Sequence, residues 1–149
     1  MRAVIQRVKR ASVDAEGETV GKIGAGLLIF LGVAPEDDES DIDYSVKKST
    51  GLRIFEDEDG KMNLSVCDTD GEILLVSQFT LFGDCRKGRR PSFAASCEPV
   101  KAEKLYKETL SAFRMSGIKT ECGVFGADMK VDLLNDGPVT LLLDSKKLF

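Results

Sequence analysis

Apolar positions in this chain mostly alternate with polar ones or gather in strand-length blocks, and only two stretches repeat with helical spacing. Strands are predicted at residues 2–13, 19–23, 27–33, 52–55, 62–65, 73–82, 119–124, 130–134 and 139–144. The turns Glu16-Gly17, Asp59-Gly60 and Asp70-Gly71 carry hairpin chemistry that tolerates positive φ. In the stronger helix, residues 99–116, Ala102, Leu105, Tyr106, Thr109, Leu110 and Phe113 form one stripe. Pro99 suits its first position and Gly117 its left-handed exit. A weaker helix is read over residues 41–50, with Ser40 as N-cap and Gly51 as stop. Many strands with two separated helices predict an α+β fold in which a largely antiparallel, barrel-like sheet carries two covering helices. No linker or repeat divides residues 1–149, so one domain is expected.

Composition narrows the chemistry. The chain has no histidine, which removes every Ser-His and Cys-His arrangement. Cys67, Cys85, Cys97 and Cys122 form no C-x-x-C pair, so neither structural zinc nor a thioredoxin-type site is expected. No cofactor is expected either: Gly21-Lys22-Ile23-Gly24-Ala25-Gly26 leads into a strand rather than a helix N-terminus, and reads as a glycine-rich hairpin connection. No apolar run approaches the ~20 residues of a membrane span, and the opening residues lack a signal-peptide core, so a cytoplasmic protein without a membrane partner is expected. The net charge is -4, from 21 Lys and Arg against 25 Asp and Glu. Nucleic acid is not excluded by that, because binding follows local patches: Arg2, Arg7, Lys9 and Arg10 crowd one segment, and Arg86, Lys87, Arg89 and Arg90 another.

Three places carry polar groups where the pattern does not ask for them. Arg7 shares a strand face with Ala3 and Ile5; either it anchors a loop through carbonyls and carboxylates, or the strand ends there and Arg7 is wet. Ser77-Gln78-Phe79-Thr80-Leu81 continues straight from the aliphatic run 73–76. Asn135-Asp136-Gly137-Pro138-Val139-Thr140 puts a Gly-Pro turn before an apolar strand, with trans the default for its X-Pro bond.

The last two segments together closely resemble the D-aminoacyl-tRNA deacylase family, which carries a Ser-Gln-x-Thr motif and a Gly-cis-Pro motif. The resemblance spans essentially the whole chain, through Ile5-Gln6-Arg7-Val8, Gly24-Ala25-Gly26-Leu27-Leu28, Gly60-Lys61-Met62-Asn63-Leu64, Arg90-Pro91-Ser92-Phe93 and Phe125-Gly126-Ala127-Asp128-Met129. It implies a homodimer of mostly antiparallel, barrel-like subunits with each site at the subunit interface, acting on aminoacyl-tRNA. It also implies roles. Ser77, Gln78, Phe79 and Thr80 would line the reacting centre, and Gly137 and Pro138 would gate the pocket of the other subunit. Arg7 would brace that loop, and Phe125, Ala127 and Met129 would shape the pocket for the terminal adenosine. Hydrolysis of the ester would then proceed by water attack, with the backbone N–H groups of Phe79 and Thr80 as an oxyanion hole and the ribose 2′-hydroxyl assisting.

Two other classes compete. A general esterase or amidase would use Thr80, Ser77 or a cysteine as nucleophile, but an internal threonine needs an adjacent base that the sequence does not offer. A non-catalytic RNA-binding dimer fits the composition and leaves the paired motifs unexplained.

Overall fold

The computed structural model describes residues 1–149. In chain order its elements are β1 (Arg2–Ala15), β2 (Glu18–Ile23), β3 (Gly26–Gly32), α1 (Glu39–Gly51), β4 (Phe55–Glu56), β5 (Met62–Leu64), β6 (Glu72–Ser77), a short 3-10 turn (Phe79–Phe82), α2 (Pro99–Met115), β7 (Thr120–Cys122) and β8 (Met129–Asp144). Strand β1 organises the sheet because its 14 residues give each edge room for long ladders. One edge pairs antiparallel with β8 from Arg2↔Asp144 to Ala15↔Met129. The other serves β3 from Arg2↔Gly32 to Val8↔Gly26, then β2 from Ala11↔Ile23 to Ala15↔Glu18. The glycines between β2 and β3 therefore bend one continued ladder along β1, and the expected hairpin connection is not formed.

The sheet is mixed, which corrects the largely antiparallel expectation: β3 pairs parallel with β6, and β6 parallel with β7. Parallel neighbours need a long crossover. Helix α1 and the β4–β5 hairpin carry the chain from β3 to β6, and α2 carries it from β6 to β7. At Gly26, where φ is +158°, a Cβ would lie 1.9 Å from the Glu72 carbonyl oxygen, so only glycine lets β6 start so close. The sheet curls far enough that a Cβ on Gly21 of β2 would lie 2.7 Å from the Cys122 carbonyl of β7, leaving a barrel that is nearly closed.

Both faces of β3 and β6 are buried, which is why their sequences read as continuous apolar runs. Leu27, Ile29, Leu31, Ile73 and Leu75 pack with the helices, while Leu28, Leu74 and Val76 pack with Val8, Ala11, Val13 and Ile23 on the opposite face. The stripe predicted for α2 is the one that is buried, and the Glu98 side chain caps the helix by accepting from the Val100 and Lys101 N–H groups. For α1 the cap is Asp38, not Ser40: Asp38 accepts from the Ser40 N–H, and Asp41 reaches back to the Asp38 N–H in a capping box. Gly51 is the last helical residue rather than the stop, and the chain leaves in extended form at Leu52.

Other boundaries move for local reasons. The strand expected at 52–55 is shorter and displaced, at Phe55–Glu56. The one at 73–82 ends at Ser77, where the chain tightens into the 3-10 turn. Those at 130–134 and 139–144 are a single strand, β8. Asp70-Gly71 precedes a parallel strand and closes no hairpin. No helix is long and apolar enough to cross a membrane.

A buried polar cluster ties the chain ends to α1. The Met1 amino group lies 2.7 Å from Asp37 Oδ1, and Lys146 Nζ lies 2.7 Å from Asp41 Oδ2. Burial opposes the charge on Asp41, but hydrogen bonds from Lys146, Ser145 and the Asp38 N–H overcome it and hold the carboxyl down to about 2.

Candidate active site

Where β6 ends, the Gln78 N–H still donates to the Leu31 carbonyl at 2.8 Å, so the strand delivers Ser77 and Gln78 to a fixed place. The following 3-10 turn begins its own hydrogen bonds with the Leu81 N–H donating to the Gln78 carbonyl. Phe79 and Thr80, its first two positions, thus keep their N–H groups outside the turn's ladder. The turn borders a cleft of about 570 Å³. Of the residues expected at a site, Ser77, Gln78, Phe79, Phe125, Ala127 and Met129 all line this cleft, although they come from separate parts of the chain. Thr80 is tied to it through the Gln78 side-chain amide, which donates to Thr80 Oγ1.

The cleft lacks a side chain suited to proton transfer. Its carboxylate, Asp128, is exposed and paired with Lys130 at 2.8 Å. Cys97 lines the wall, but burial pushes its thiol up, away from the reactive thiolate. Tyr106, which sequence reading placed only in the helix stripe, also reaches the cleft. Burial pushes its hydroxyl pKa up, and the hydroxyl donates to the Leu75 carbonyl at 2.8 Å. Thr80 meets an amide rather than a base, which weakens its reading as a nucleophile.

The Gly-Pro loop is built differently. Gln6 pairs with Thr140 and Val8 with Asn135, so residues 136–139 bulge from β8 opposite Arg7 alone. The Gly137-Pro138 peptide bond is cis, against the trans default. Arg7 is 4% exposed, which resolves its two readings in favour of the anchor. Its Nε donates to the Asp136 carbonyl at 2.9 Å, and its Nη1 donates to the Ile54 carbonyl. Asn135 went unremarked as a site residue, yet it closes the bulge. Its Oδ1 accepts from the Val139 N–H at 2.8 Å and its Nδ2 donates to the Val139 carbonyl at 3.0 Å. Asparagine opening an Asn-Asp-Gly-Pro turn is the signal that could have found it.

The fold does not bring Arg7, Gly137 and Pro138 to the cleft. Ser77 stands level with Leu31 on β3 and Arg7 level with Leu27, a separation of roughly 13 Å along the strand at ~3.3 Å per residue. One chain holds the two motifs apart.

With this geometry in place, likeness to known proteins becomes informative. A sequence model of the D-Tyr-tRNA(Tyr) deacylase family matches residues 4–144. The chain belongs to that family. It is 62% identical over 149 residues to the D-aminoacyl-tRNA deacylase of Thermosipho africanus (strain TCF52B), covering 100% of both chains. It is 60% identical over 146 residues to that of Desulfatibacillum aliphaticivorans, covering 98% of this chain and 100% of the relative. Among solved structures, the c-Myc DNA Unwinding Element Binding Protein superposes with a TM-score of 0.91 at 42% identity, over 97% of this chain and 98% of the other. A probable eukaryotic D-amino acid tRNA deacylase superposes with a TM-score of 0.81 at 17% identity, over 95% and 97%, a likeness of fold alone.

Proposed function

We propose that this member of the family is a D-aminoacyl-tRNA deacylase, which hydrolyses the ester joining a D-amino acid to the terminal ribose of tRNA. The observation that carries the reading is the turn that opens at Phe79 and Thr80, whose N–H groups its own ladder leaves unused, at the edge of a cleft without a side-chain base. Ester hydrolysis needs stabilisation of the negative charge that develops on the carbonyl oxygen, and two such donors supply it. Water is the nucleophile. Its oxygen bonds to the carbonyl carbon, the ester C–O bond breaks, and the proton reaches the leaving ribose oxygen, with the adjacent 2′-hydroxyl ordering the water. Gln78 positions Thr80, and Phe125, Ala127 and Met129 shape the end of the cleft that takes the terminal adenosine.

The loop acts across a homodimer in this reading. Gly137 and Pro138 of one copy enter the cleft of the other, where main-chain atoms occupy the space an L side chain needs and leave the D side chain pointing outward. Glycine has no side chain to exclude, so glycyl-tRNA is hydrolysed as well. A row of apolar residues left partly open supports association: Phe30 and Val4, both half-buried, stand side by side with Leu142 on β3, β1 and β8, and Leu142 is 64% exposed. The setting is cytoplasmic, where aminoacyl-tRNA is found.

The test is deacylation of matched D- and L-tyrosyl-tRNA. Release of D-tyrosine with the L ester left intact supports the reading. Retention of both charged tRNAs without hydrolysis would favour a nucleic-acid-binding role, in keeping with the name of the 42% identical structure. Equal hydrolysis of a generic aryl ester would favour a general esterase.

A further inference from the structure

Residues 84–92 form a loop closed at its base by the Asp84↔Ser92 bridge. It holds four cations, Arg86, Lys87, Arg89 and Arg90, against one carboxylate, Asp84, in a chain whose net charge is -4. Arg86 is committed within the loop, with Nη2 2.7 Å from Asp84 Oδ2 and Nε 2.9 Å from Asp84 Oδ1. Lys87, Arg89 and Arg90 are exposed, and neither the hydrogen bonds nor the ion pairs of the chain occupy them. Three free cations held together repel one another, which a fold tolerates most easily where an anion relieves them.

Position ties this loop to the cleft. Phe93, which follows it directly, packs edge-on against Phe79 with ring centroids 5.1 Å apart. The ring rests against Gly83, where a Cβ would lie 3.0 Å from it. The exposed aromatic pair therefore joins the turn that begins at Phe79 to the end of the segment that carries the free cations. A nucleotide chain whose 3′ end lies in the cleft would leave past this pair, and phosphates on one side of exposed rings are the usual layout of a single-strand site.

We propose that the loop at residues 84–92 is a phosphate-binding arm, in which Lys87, Arg89 and Arg90 hold the backbone of the tRNA acceptor end next to the aminoacylated ribose. The proposal rests on the tRNA reading above and adds the surface that captures the substrate. The arm acts in binding rather than in bond breaking, because it neutralises charges that do not change during hydrolysis.

The test compares the wild type with the triple variant K87Q/R89Q/R90Q, and with K87R/R89K/R90K, which keeps the charge. Binding of uncharged tRNA is followed by fluorescence anisotropy against salt, and hydrolysis is measured on D-tyrosyl-tRNA and on D-tyrosyl-adenosine, which has no phosphate. The glutamine variant is expected to bind tRNA at least about tenfold more weakly, with its log–log salt slope shallower by about 2 to 3. KM for D-tyrosyl-tRNA should rise while kcat changes by less than about twofold, and turnover of D-tyrosyl-adenosine should be unchanged. The charge-keeping variant should match the wild type. Equal tRNA affinity and equal salt slope for the wild type and the glutamine variant would overturn the proposal, as would an equal loss on D-tyrosyl-adenosine. Because tRNA binding is read without hydrolysis, a wild type that binds through the loop yet deacylates nothing would count against the deacylase reading alone.

Discussion

The cleft beside Ser77 and the loop at Gly137 solve opposite problems. The cleft is lined by parts of β6, α2 and β8 that are packed from behind, and Phe79 at its edge is 56% exposed. Apart from Val139, which is buried in the core, the loop is held by polar side chains from within, with Arg7 beneath and Asn135 across its base. An apolar wall tolerates side-chain changes by repacking, whereas a bulge held by a few hydrogen bonds loses its shape when one is removed. Rate should therefore follow the cleft, and selection between D and L substrates should follow the loop.

Arg7→Met should break the loop most severely. It leaves the Ile54 and Asp136 carbonyls without their charged donor, and hydrogen bonds of that kind are worth about 1.5–3 kcal/mol each. We expect a loss of about 3–5 kcal/mol in urea unfolding, together with weakened rejection of L-tyrosyl-tRNA in whatever fraction stays folded. Asn135→Ala removes three neutral hydrogen bonds, two to the Val139 backbone and one to Thr140 Oγ1. It should cost about 1–3 kcal/mol and lower the D-over-L ratio more than it lowers the Tm.

Thr80→Val sharpens the comparison from the cleft side. Only the Gln78 contact is lost and the N–H donors stay, so deacylation should slow by about tenfold or less, against the ~100–1,000-fold typical of a lost oxyanion donor. The D-over-L ratio should hold, and mass spectrometry should find no acyl group on the protein.

The smallest effect on activity is expected at Asp41, which neither lines the cleft nor bonds to the loop. Its carboxyl is held down to about 2 from an ordinary 3.8. The stabilisation it contributes is complete above about pH 4 and disappears as pH falls through 2. Asp41→Asn should flatten the acid limb of a stability–pH curve in that window and leave deacylation at pH 7 near the wild-type rate.

How much the sequence disclosed depended on the kind of interaction. The stripe of α2 was legible because helical periodicity is local, and its buried residues are the ones its spacing names. Parallel pairing was not, since the apolar run at 73–76 looks the same beside either kind of neighbour; only the crossovers through α1 and α2 decide it. Ser40 lost the cap to Asp38 because Asp41 sits three residues on and completes a reciprocal box. Ser77, Gln78 and Phe79 were found through a motif and do meet Phe125, Ala127 and Met129. The motif could not reveal that Arg7, Gly137 and Pro138 lie farther along the sheet, because that distance is set by register.

The central claim is that loop and cleft meet between two copies of the chain, and mixing two crippled variants tests it most directly. In Gly137→Val the added carbons meet Arg7 and Val139, where even a Cβ would lie 3.2 Å from Arg7 Nη2 and 2.8 Å from a Val139 methyl, so the loop is displaced. Ala127→Trp fills the cleft. Each variant alone should be nearly inactive on D-tyrosyl-tRNA, Ala127→Trp because its own cleft is filled and Gly137→Val because the enlarged, displaced loop jams the cleft of its partner. Co-refolded in equal amounts, half of the dimers pair the two variants and carry one intact site of two, so about a quarter of wild-type activity should return, with L-tyrosyl-tRNA still refused. Mixed dimers that form, as seen by native mass spectrometry, and yet recover no activity would contradict the account.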